Sequence, residues 1–158
     1  MERPIQVTPM TAQDVPALAA VERECFAQPW SEAALAEELH NPHAVFLTAR
    51  DGTGTVLGYV GMHHLADEGY IANVAVAAAA RRQGVGRALL AALERYGREH
   101  GLYRLTLEVR VSNAAAVALY TGAGYVCDGV RPGFYRLPTE DAAIYSRILS
   151  ADAGQSGE

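Results

Sequence analysis

The segment "ARRQGVGRALLAALERYGREHG", residues 80–101, determines how the rest of the chain is interpreted. Its second half has apolar residues at helical spacing, which predicts an amphipathic helix. Its first half places Arg81 and Arg82 directly before Gly84 and Gly86, at the start of that helix. Glycines let a ligand approach backbone N–H groups, and a helix N-terminus carries a partial positive charge. The segment therefore predicts an anion site, with an ordinary tight turn as the alternative.

The pattern around this segment predicts a mixed α/β protein with the order β-α-α-β-β-β-α-β-α-β-β. A meander followed by βαβ units implies a mixed, mostly antiparallel sheet of about seven strands with helices on both faces. The predicted strands are residues 5–10, 43–50, 55–65, 68–77, 103–111, 124–130 and 142–149, and the predicted helices 11–27, 31–41, 84–100 and 113–123. The segment 131–141, "RPGFYRLPTED", is predicted to be a long loop because of its prolines and glycine.

Length and composition narrow the class of protein. The 158 residues suit one domain, predicted to span 1–149, and the small polar tail 150–158 is expected to be disordered. A net charge of −5 argues against direct binding of nucleic acid. No apolar run is long enough for a membrane helix, and no signal pattern precedes the first strand, so a cytoplasmic location is expected. Cys25 and Cys127 are far apart in sequence and are expected to be reduced thiols.

Three kinds of phosphate-binding loop compete for residues 81–87. All 13 basic residues are arginine, so the lysine that a P-loop requires is absent. A dinucleotide fingerprint needs a third glycine where this chain has Leu89, and it also needs an earlier βαβ context. An arginine followed by a glycine pair, after a strand of small residues, is the pattern that remains.

That pattern resembles the acyl-CoA motif of the GCN5-related N-acetyltransferases, the GNAT family, which reads [QR]-x-x-G-x-[GA]. "NVAVAAAARRQGVGRALL", residues 73–90, carries the resemblance. In that family the loop and helix start hold the pyrophosphate of acetyl-CoA, and the preceding strand pairs its backbone with the pantetheine. The resemblance therefore implies acetyl-CoA as cofactor. No metal is expected, because the sequence has no HExxH or CxxC pattern. The cofactor-binding residues that the resemblance implies are Val74, Ala75, Val76, Arg81, Arg82, Gln83, Gly84, Val85, Gly86, Arg87, Asn113 and Tyr120.

Four further segments are similar to the bacterial RimI-type enzymes of this family, in the same order along the chain. They are "ECFAQPWSEAALAEEL" (24–39), "DEGYIANVAV" (67–76), "LEVRVSNAAAVALYTGAGY" (107–125) and "RPGFYRLPTEDAAIYSRIL" (131–149). RimI-type enzymes acetylate the N-terminal alanine of a small-subunit ribosomal protein. The resemblance spans residues 5–149 and implies that a ribosomal protein N-terminus is the acceptor and the partner.

Acetyl transfer to an amine needs a proton acceptor, an oxyanion stabiliser and a proton donor for the departing thiolate. The resemblance makes Glu108 the general base, Tyr120 the general acid, and a backbone N–H at Val76 the oxyanion stabiliser. From the residues alone, a surface glutamate is the favoured interpretation of Glu108, and a core aromatic that of Tyr120. Asn113 also suits the N-cap of the helix that contains Tyr120.

Two aromatic groups are predicted to form the walls of the acceptor site. Phe26 and Trp30 lie before the second helix, and Phe134 and Tyr135 lie in the late segment. Asp67 and Glu68 are predicted to attract the ammonium group or a basic second residue of the acceptor. Trp30 also suits a packing role beside the helix start, and the two acids also suit a solvated surface.

Two other functions remain open at this stage. The same fold could acetylate a lysine or a small amine, or it could bind an acyl-CoA without catalysis as a sensor. A binding module would need neither Glu108 nor Tyr120, which favours the enzyme. A monomer or weak homodimer without membrane contact is expected.

Overall fold

A computed structural model describes residues 4–149 of the chain. These residues form a seven-stranded sheet in the order β1-β2-β3-β4-β5-β7-β6. The strands are β1 Gln6–Pro9, β2 Ala44–Arg50, β3 Val56–Leu65, β4 Glu68–Val76, β5 Arg104–Arg110, β6 Val126–Tyr135 and β7 Glu140–Ile148. The helices are α1 Val15–Cys25, α2 Glu32–Glu37, α3 Val85–Glu99 and α4 Ala114–Gly122, with 3-10 turns at Ala12–Asp14, Glu38–His40 and Ala78–Ala80. The predicted tail, 150–158, lies outside the described residues.

The predicted fold class and element order are confirmed. Every strand pair in the sheet is antiparallel except β4–β5, which the crossover helix α3 joins in parallel. Between residues 4 and 149, no helix has the length and apolar character needed to cross a bilayer.

Side-chain caps set the starts of α2 and α4, whereas α1 begins without a side-chain hydrogen bond at its N-cap. The Ser31 hydroxyl accepts from the Ala34 amide at 3.0 Å, and the Asn113 side chain accepts from the Ala116 amide at 3.1 Å. Helix α3 differs, because its N-cap is Gly84 with φ of 84° and no side-chain cap. Its first turn contains no acidic residue either.

The sheet has a hydrophobic core on each face. Under α3 the core includes Val85, Leu89 and Leu93 from the predicted apolar stripe of the helix. Under α1 and α2 the second core contains Leu18, Leu35 and other buried residues of those helices with the facing strands. The two cores fix α1 and α3 on opposite faces of the sheet, which leaves the ends of the central strands between them.

The central strands separate where the site forms. The β4–β5 ladder ends at the pair Ile71 and Leu107, although β4 continues to Val76 and β5 to Arg110. The β3–β4 register also shifts by one residue beside Asn73, which is a bulge in β4. Beyond Ile71, the edge of β4 that faces β5 is therefore open, as expected for the strand that precedes the anion site.

The predicted long loop at 131–141 is wrong. Strand β6 continues to Tyr135 and β7 begins at Glu140, so only a four-residue turn separates them. Pro132 and Gly133 lie within β6, where the register with β7 shifts. Because β6 is the edge strand of the sheet, a proline and a glycine at a bulge do not break it.

Candidate active site

A cavity of about 360 Å³ opens where β4 and β5 separate. Helix α1 and the loop after it form one side, and α4 and the end of β6 form the other. Eight of the residues predicted from the sequence line it: Phe26, Trp30, Val74, Glu108, Asn113, Tyr120, Phe134 and Tyr135. The structure thus brings together residues that are up to 109 positions apart in the sequence.

The carboxylate of Glu108 is held at both of its oxygens. The Tyr70 hydroxyl donates a hydrogen bond to Oε1, and Nη1 of Arg131 lies 3.1 Å from Oε2. The Glu108 side chain is only 7% exposed, whereas that of Arg131 is 55% exposed. Glu108 is thus a nearly buried carboxylate on the cavity wall, with an oriented phenol on one oxygen and an accessible cation on the other.

Tyr120 and Asn113 approach the cavity from α4. Tyr120 is buried, with its ring 5.9 Å from that of Tyr125. Burial raises the pKa of Tyr120 well above its ordinary value, so the phenol keeps its proton at neutral pH. Asn113 caps the helix and lines the same cavity. Its capping role and its place in the site are therefore compatible.

Both predicted aromatic walls line the cavity. Trp30 packs against Phe46 of β2, with ring centroids 5.8 Å apart, and Phe134 meets Tyr135 edge to face at 5.0 Å. The Arg110 guanidinium stacks 4.5 Å above the Tyr135 ring. Burial and the nearby Glu108 carboxylate raise the pKa of Tyr135 to about 12.

The predicted anion site has the features that an anion needs. At Gly84, a Cβ would meet no atom within 4 Å, so the space above the N-terminus of α3 is open. Since no side chain caps this helix, its first N–H groups are available to an acceptor. Arg82 and Arg87 are exposed beside the turn, and the Val85 side chain is buried in the core below it.

Arg81 and Gln83 have local partners in this state. Nε of Arg81 donates to the Val76 carbonyl at 3.3 Å, and its Nη2 lies 3.5 Å from the Cys25 sulfur. The Gln83 amide donates to the Ala79 carbonyl at 3.3 Å. Both residues therefore fasten the loop between β4 and α3, and Arg81 ties it to the open end of β4.

Similarity to known proteins shows the family of this chain. The acetyltransferase (GNAT) family model matches residues 15–125. The chain belongs to the GNAT acetyltransferase family. It is 35% identical to the N-alpha-acetyltransferase RimI of Mycobacterium tuberculosis, over 91% of this chain and 92% of that protein. It is 34% identical to the [ribosomal protein bS18]-alanine N-acetyltransferase of Escherichia coli K12, over 91% of this chain and 97% of that protein.

Solved structures agree with this family. A crystal structure of the ribosomal-protein-S18-alanine N-acetyltransferase from Escherichia coli superposes with a TM-score of 0.84 at 31% identity, over 92% of this chain and 94% of that one. The Ard1 structure from Thermoplasma volcanium, at 23% identity and a TM-score of 0.83 over 92% and 97% of the two chains, shares the fold.

Two predicted acceptor residues do not reach the cavity of this GNAT protein. Glu68 pairs with Arg104 at 2.8 Å, and Asp67 lies in the turn before β4. Arg104 begins β5, four residues before Glu108, which corresponds to about 13 Å along a strand. The acids that the sequence assigned to the acceptor therefore lie near the opposite end of the strands, and that assignment is corrected.

Several residues at this GNAT site were not identified from the sequence. Tyr70 and Arg131 contact Glu108, and Asn73 lines the cavity beside the bulge. A parallel β4–β5 pair was implied by the βαβ order, and strand alternation would have placed Tyr70 and Glu108 on one face. The register of the pair, which brings the two side chains into contact, has no local signal. Among residues 4–149, no group of three or more His, Cys, Asp or Glu side chains is arranged to hold a metal ion.

Proposed function

We propose that this GNAT protein transfers the acetyl group of acetyl-CoA to the N-terminal amine of a protein, and that the acceptor is the N-terminal alanine of a small-subunit ribosomal protein. The observation that carries the proposal is the cavity in which Glu108 and Tyr120 meet beside the open edge of β4. Relatives at 34–35% identity bear the names RimI and bS18-alanine N-acetyltransferase, which supports the acceptor. Because a ribosomal protein is the proposed acceptor, the reaction is proposed to take place in the cytoplasm.

The open edge of β4 and the N-terminus of α3 fit the two parts of acetyl-CoA. The Ala77 amide donates to the Leu57 carbonyl of β3, so by alternation the N–H groups of Val74 and Val76 face the open edge. An amide-rich pantetheine can pair with such an edge as an added strand would. The uncapped N–H groups at Gly84–Gly86 with Arg82 and Arg87 suit a pyrophosphate. When bound there, acetyl-CoA supplies an acetyl thioester.

Glu108 acts as the general base in this proposal. An α-amino group has a pKa of about 7.7–8.0, so part of the acceptor is already uncharged at pH 7. A carboxylate that takes the remaining proton, directly or through a water, is a sufficient base for such an amine. Tyr70 orients the carboxylate, and the exposed Arg131 occupies the place that an incoming ammonium group would take beside Oε2.

Tyr120 acts as the general acid, and the strand backbone stabilises the oxyanion. Because its pKa is raised, Tyr120 is protonated at neutral pH and can give a proton to a departing thiolate. The Val76 N–H on the open edge of β4 is the proposed donor to the carbonyl oxygen as negative charge develops there. The attack is direct, since the proton handlers suffice and no enzyme nucleophile is required.

The acceptor backbone is proposed to enter between the two aromatic walls. Phe26 and Trp30 would contact one side of the acceptor and Phe134 with Tyr135 the other. Such a slot admits an N-terminus with a small first side chain, because the aromatic rings limit its width.

A panel of acceptors tests this proposal. Purified protein is incubated with acetyl-CoA, and free thiol is followed with a peptide that begins with alanine, the same peptide with a blocked N-terminus, a blocked lysine peptide and small amines. Turnover with the free alanine N-terminus alone is expected. Turnover on lysine or small amines would overturn the acceptor assignment, and binding of acetyl-CoA without turnover on any amine would indicate a sensor.

A further inference from the structure

Glu22 is a fully buried acid near the middle of α1 that the proposed chemistry does not use. It has no exposed surface. Its Oε1 accepts a hydrogen bond from the backbone amide of Trp30 at 2.8 Å, and its Oε2 accepts from the Asn73 amide at 2.7 Å and from the Tyr59 hydroxyl. A buried charge is costly unless such partners satisfy it. The Glu22 carboxylate therefore does more at this position than fill space.

The three partners suit an ionised carboxylate. Each of them donates, and a carboxylate is an acceptor only, so a protonated Glu22 would set its own proton against one of the donors. The pKa of Glu22 is raised, because burial raises it by more than the hydrogen bonds from Tyr59 and Trp30 lower it. The network is complete only when both oxygens accept.

Each donor belongs to a different part of the molecule. Tyr59 is a fully buried residue of β3, and it anchors Glu22 to the core. Asn73 lies beside the bulge of β4 and lines the cavity. Trp30 ends the segment 26–30, here called the α1–α2 loop, which forms one aromatic wall. One carboxylate thus connects the α1–α2 loop to strand β4, both of which line the cavity.

We propose that Glu22 is a positioning residue that holds the α1–α2 loop at a fixed distance from β4, and thereby sets the width of the acceptor slot. The proposal rests on the acceptor site described above. Pro29 precedes Trp30 and has no amide hydrogen, so the Trp30 amide is the hydrogen-bonded contact at this end of the loop. Without it, the ring contact of Trp30 with Phe46 would remain, but the backbone at Trp30 would lose its hydrogen bond to α1, and only the Phe26 amide at the start of the loop would stay bonded to the Glu22 carbonyl.

The single tryptophan of the chain makes this loop visible without any acceptor. Trp30 is that tryptophan, so fluorescence excited selectively in tryptophan, and not in the eight tyrosines, reports on the loop. In Glu22→Gln we expect emission at longer wavelength and stronger quenching by acrylamide, because the carboxamide cannot accept from all three donors. The matched control is Tyr59→Phe, which removes a donor on the other oxygen and leaves the bond to Trp30. Tyr59→Phe should lower stability while the Trp30 signal stays as in the wild type.

Kinetics separate positioning from a general loss of structure. Glu22→Gln should raise the KM for the alanine peptide roughly tenfold, the factor that corresponds to about 1.4 kcal/mol, with the KM for acetyl-CoA unchanged. Equal changes in both constants, or unchanged Trp30 fluorescence in a folded Glu22→Gln, would overturn the proposal. If the wild type shows no turnover on the peptide, the acceptor assignment fails while the fluorescence result still decides the role of Glu22 in the loop.

A measurement on the wild type applies even if Glu22→Gln does not fold. Amide exchange followed by NMR should show the Trp30 N–H exchanging at least about tenfold more slowly than the exposed Gln28 N–H of the same loop. Equal exchange at the two amides would mean that the Glu22 contact does not hold the loop, and the proposal would be wrong.

Discussion

At the scale of single residues, Glu108 is the proposed general base of the cavity. Glu108→Gln should lower kcat at pH 7 by up to roughly tenfold, because only about a tenth of an α-amine with a pKa of about 7.7–8.0 is uncharged there, and by less at pH 9. At pH 9 an α-amine with a pKa of about 7.7–8.0 has already lost its proton, so little work remains for the base. The measurement is kcat against pH with the alanine peptide.

Glu68→Gln is the matched control for that variant. Glu68 is an acid on the neighbouring strand that pairs with Arg104 and lies outside the cavity. Its replacement should leave the pH profile as in the wild type. An equal loss in Glu108→Gln at pH 7 and pH 9 would contradict the role of Glu108 as the base for an ammonium group.

Tyr120 provides a second test at this scale, on the departing group. Because burial raises its pKa, Tyr120 is protonated over the whole working range. Tyr120→Phe should reduce kcat about 10²-fold or more while the affinity for acetyl-CoA stays within about threefold of the wild type. The control is Tyr125→Phe, which alters a neighbouring buried phenol outside the cavity lining. Similar losses of kcat in both variants would mean that packing, and not proton donation, explains the effect.

At the scale of elements, the start of α3 is the proposed anion site. Gly84→Glu places a carboxylate where the uncapped N–H groups point, and should weaken acetyl-CoA binding more than tenfold, as measured by calorimetry. Gly101 at the other end of α3 also has positive φ, 77°, and also has no atom within 4 Å of a built Cβ. Gly101→Glu therefore introduces the same backbone strain, about 1–2 kcal/mol, away from the site. Comparable affinity loss in both would attribute the effect to strain alone.

The elements also explain how much of the site the sequence could predict. The turn before α3 is a continuous segment whose glycines and arginines carry the information locally, so the helix start at Gly84 could be predicted from the sequence, while its role as an anion site stays a prediction. Strand register carries no such local signal, because pairing partners are set by packing across the sheet. Tyr70 beside Glu108 and Glu68 beside Arg104 both follow from the β4–β5 register. The first contact was missed for this reason, and the acids of the turn were assigned to the wrong end.

The β6–β7 hairpin failed in prediction for a different reason. Pro132 and Gly133 are reliable signals of a break in a central strand, but an edge strand tolerates both at a bulge. The consequence for the site is that Phe134 and Tyr135 lie at the end of a strand, fixed by β7 and by the Arg110 guanidinium, and not on a long loop. One aromatic wall therefore lies at the end of a paired strand, while the other lies on the α1–α2 loop.

At the scale of the whole molecule, a group of histidines lies where three elements meet. His64 of β3 is 6.2 Å from His43 and 6.1 Å from Tyr96 of α3, measured between ring centroids, and Tyr96 stacks on His100 at 3.8 Å. Burial, with His43, His100 and His63 nearby, lowers the pKa of His64. His63, the residue before His64 on β3, pairs with Glu38 at 2.9 Å.

This group should make the protein sensitive to mild acid. A histidine whose pKa is lowered by folding binds its proton more weakly in the folded than in the unfolded state. Its contribution to stability is complete above its ordinary value of about 6.5 and is lost as the pH falls through the lowered pKa. The free energy of unfolding should therefore decrease between pH 7.5 and pH 5, as measured by urea denaturation.

In His64→Gln that decrease should be smaller, because a neutral amide binds no proton. The exposed His40, on the Glu38–His40 turn, provides the control, and His40→Gln should keep the wild-type decrease. If His64→Gln loses as much stability in acid as the wild type, then protonation of carboxylates elsewhere, and not of the histidines, causes the decrease in the free energy of unfolding.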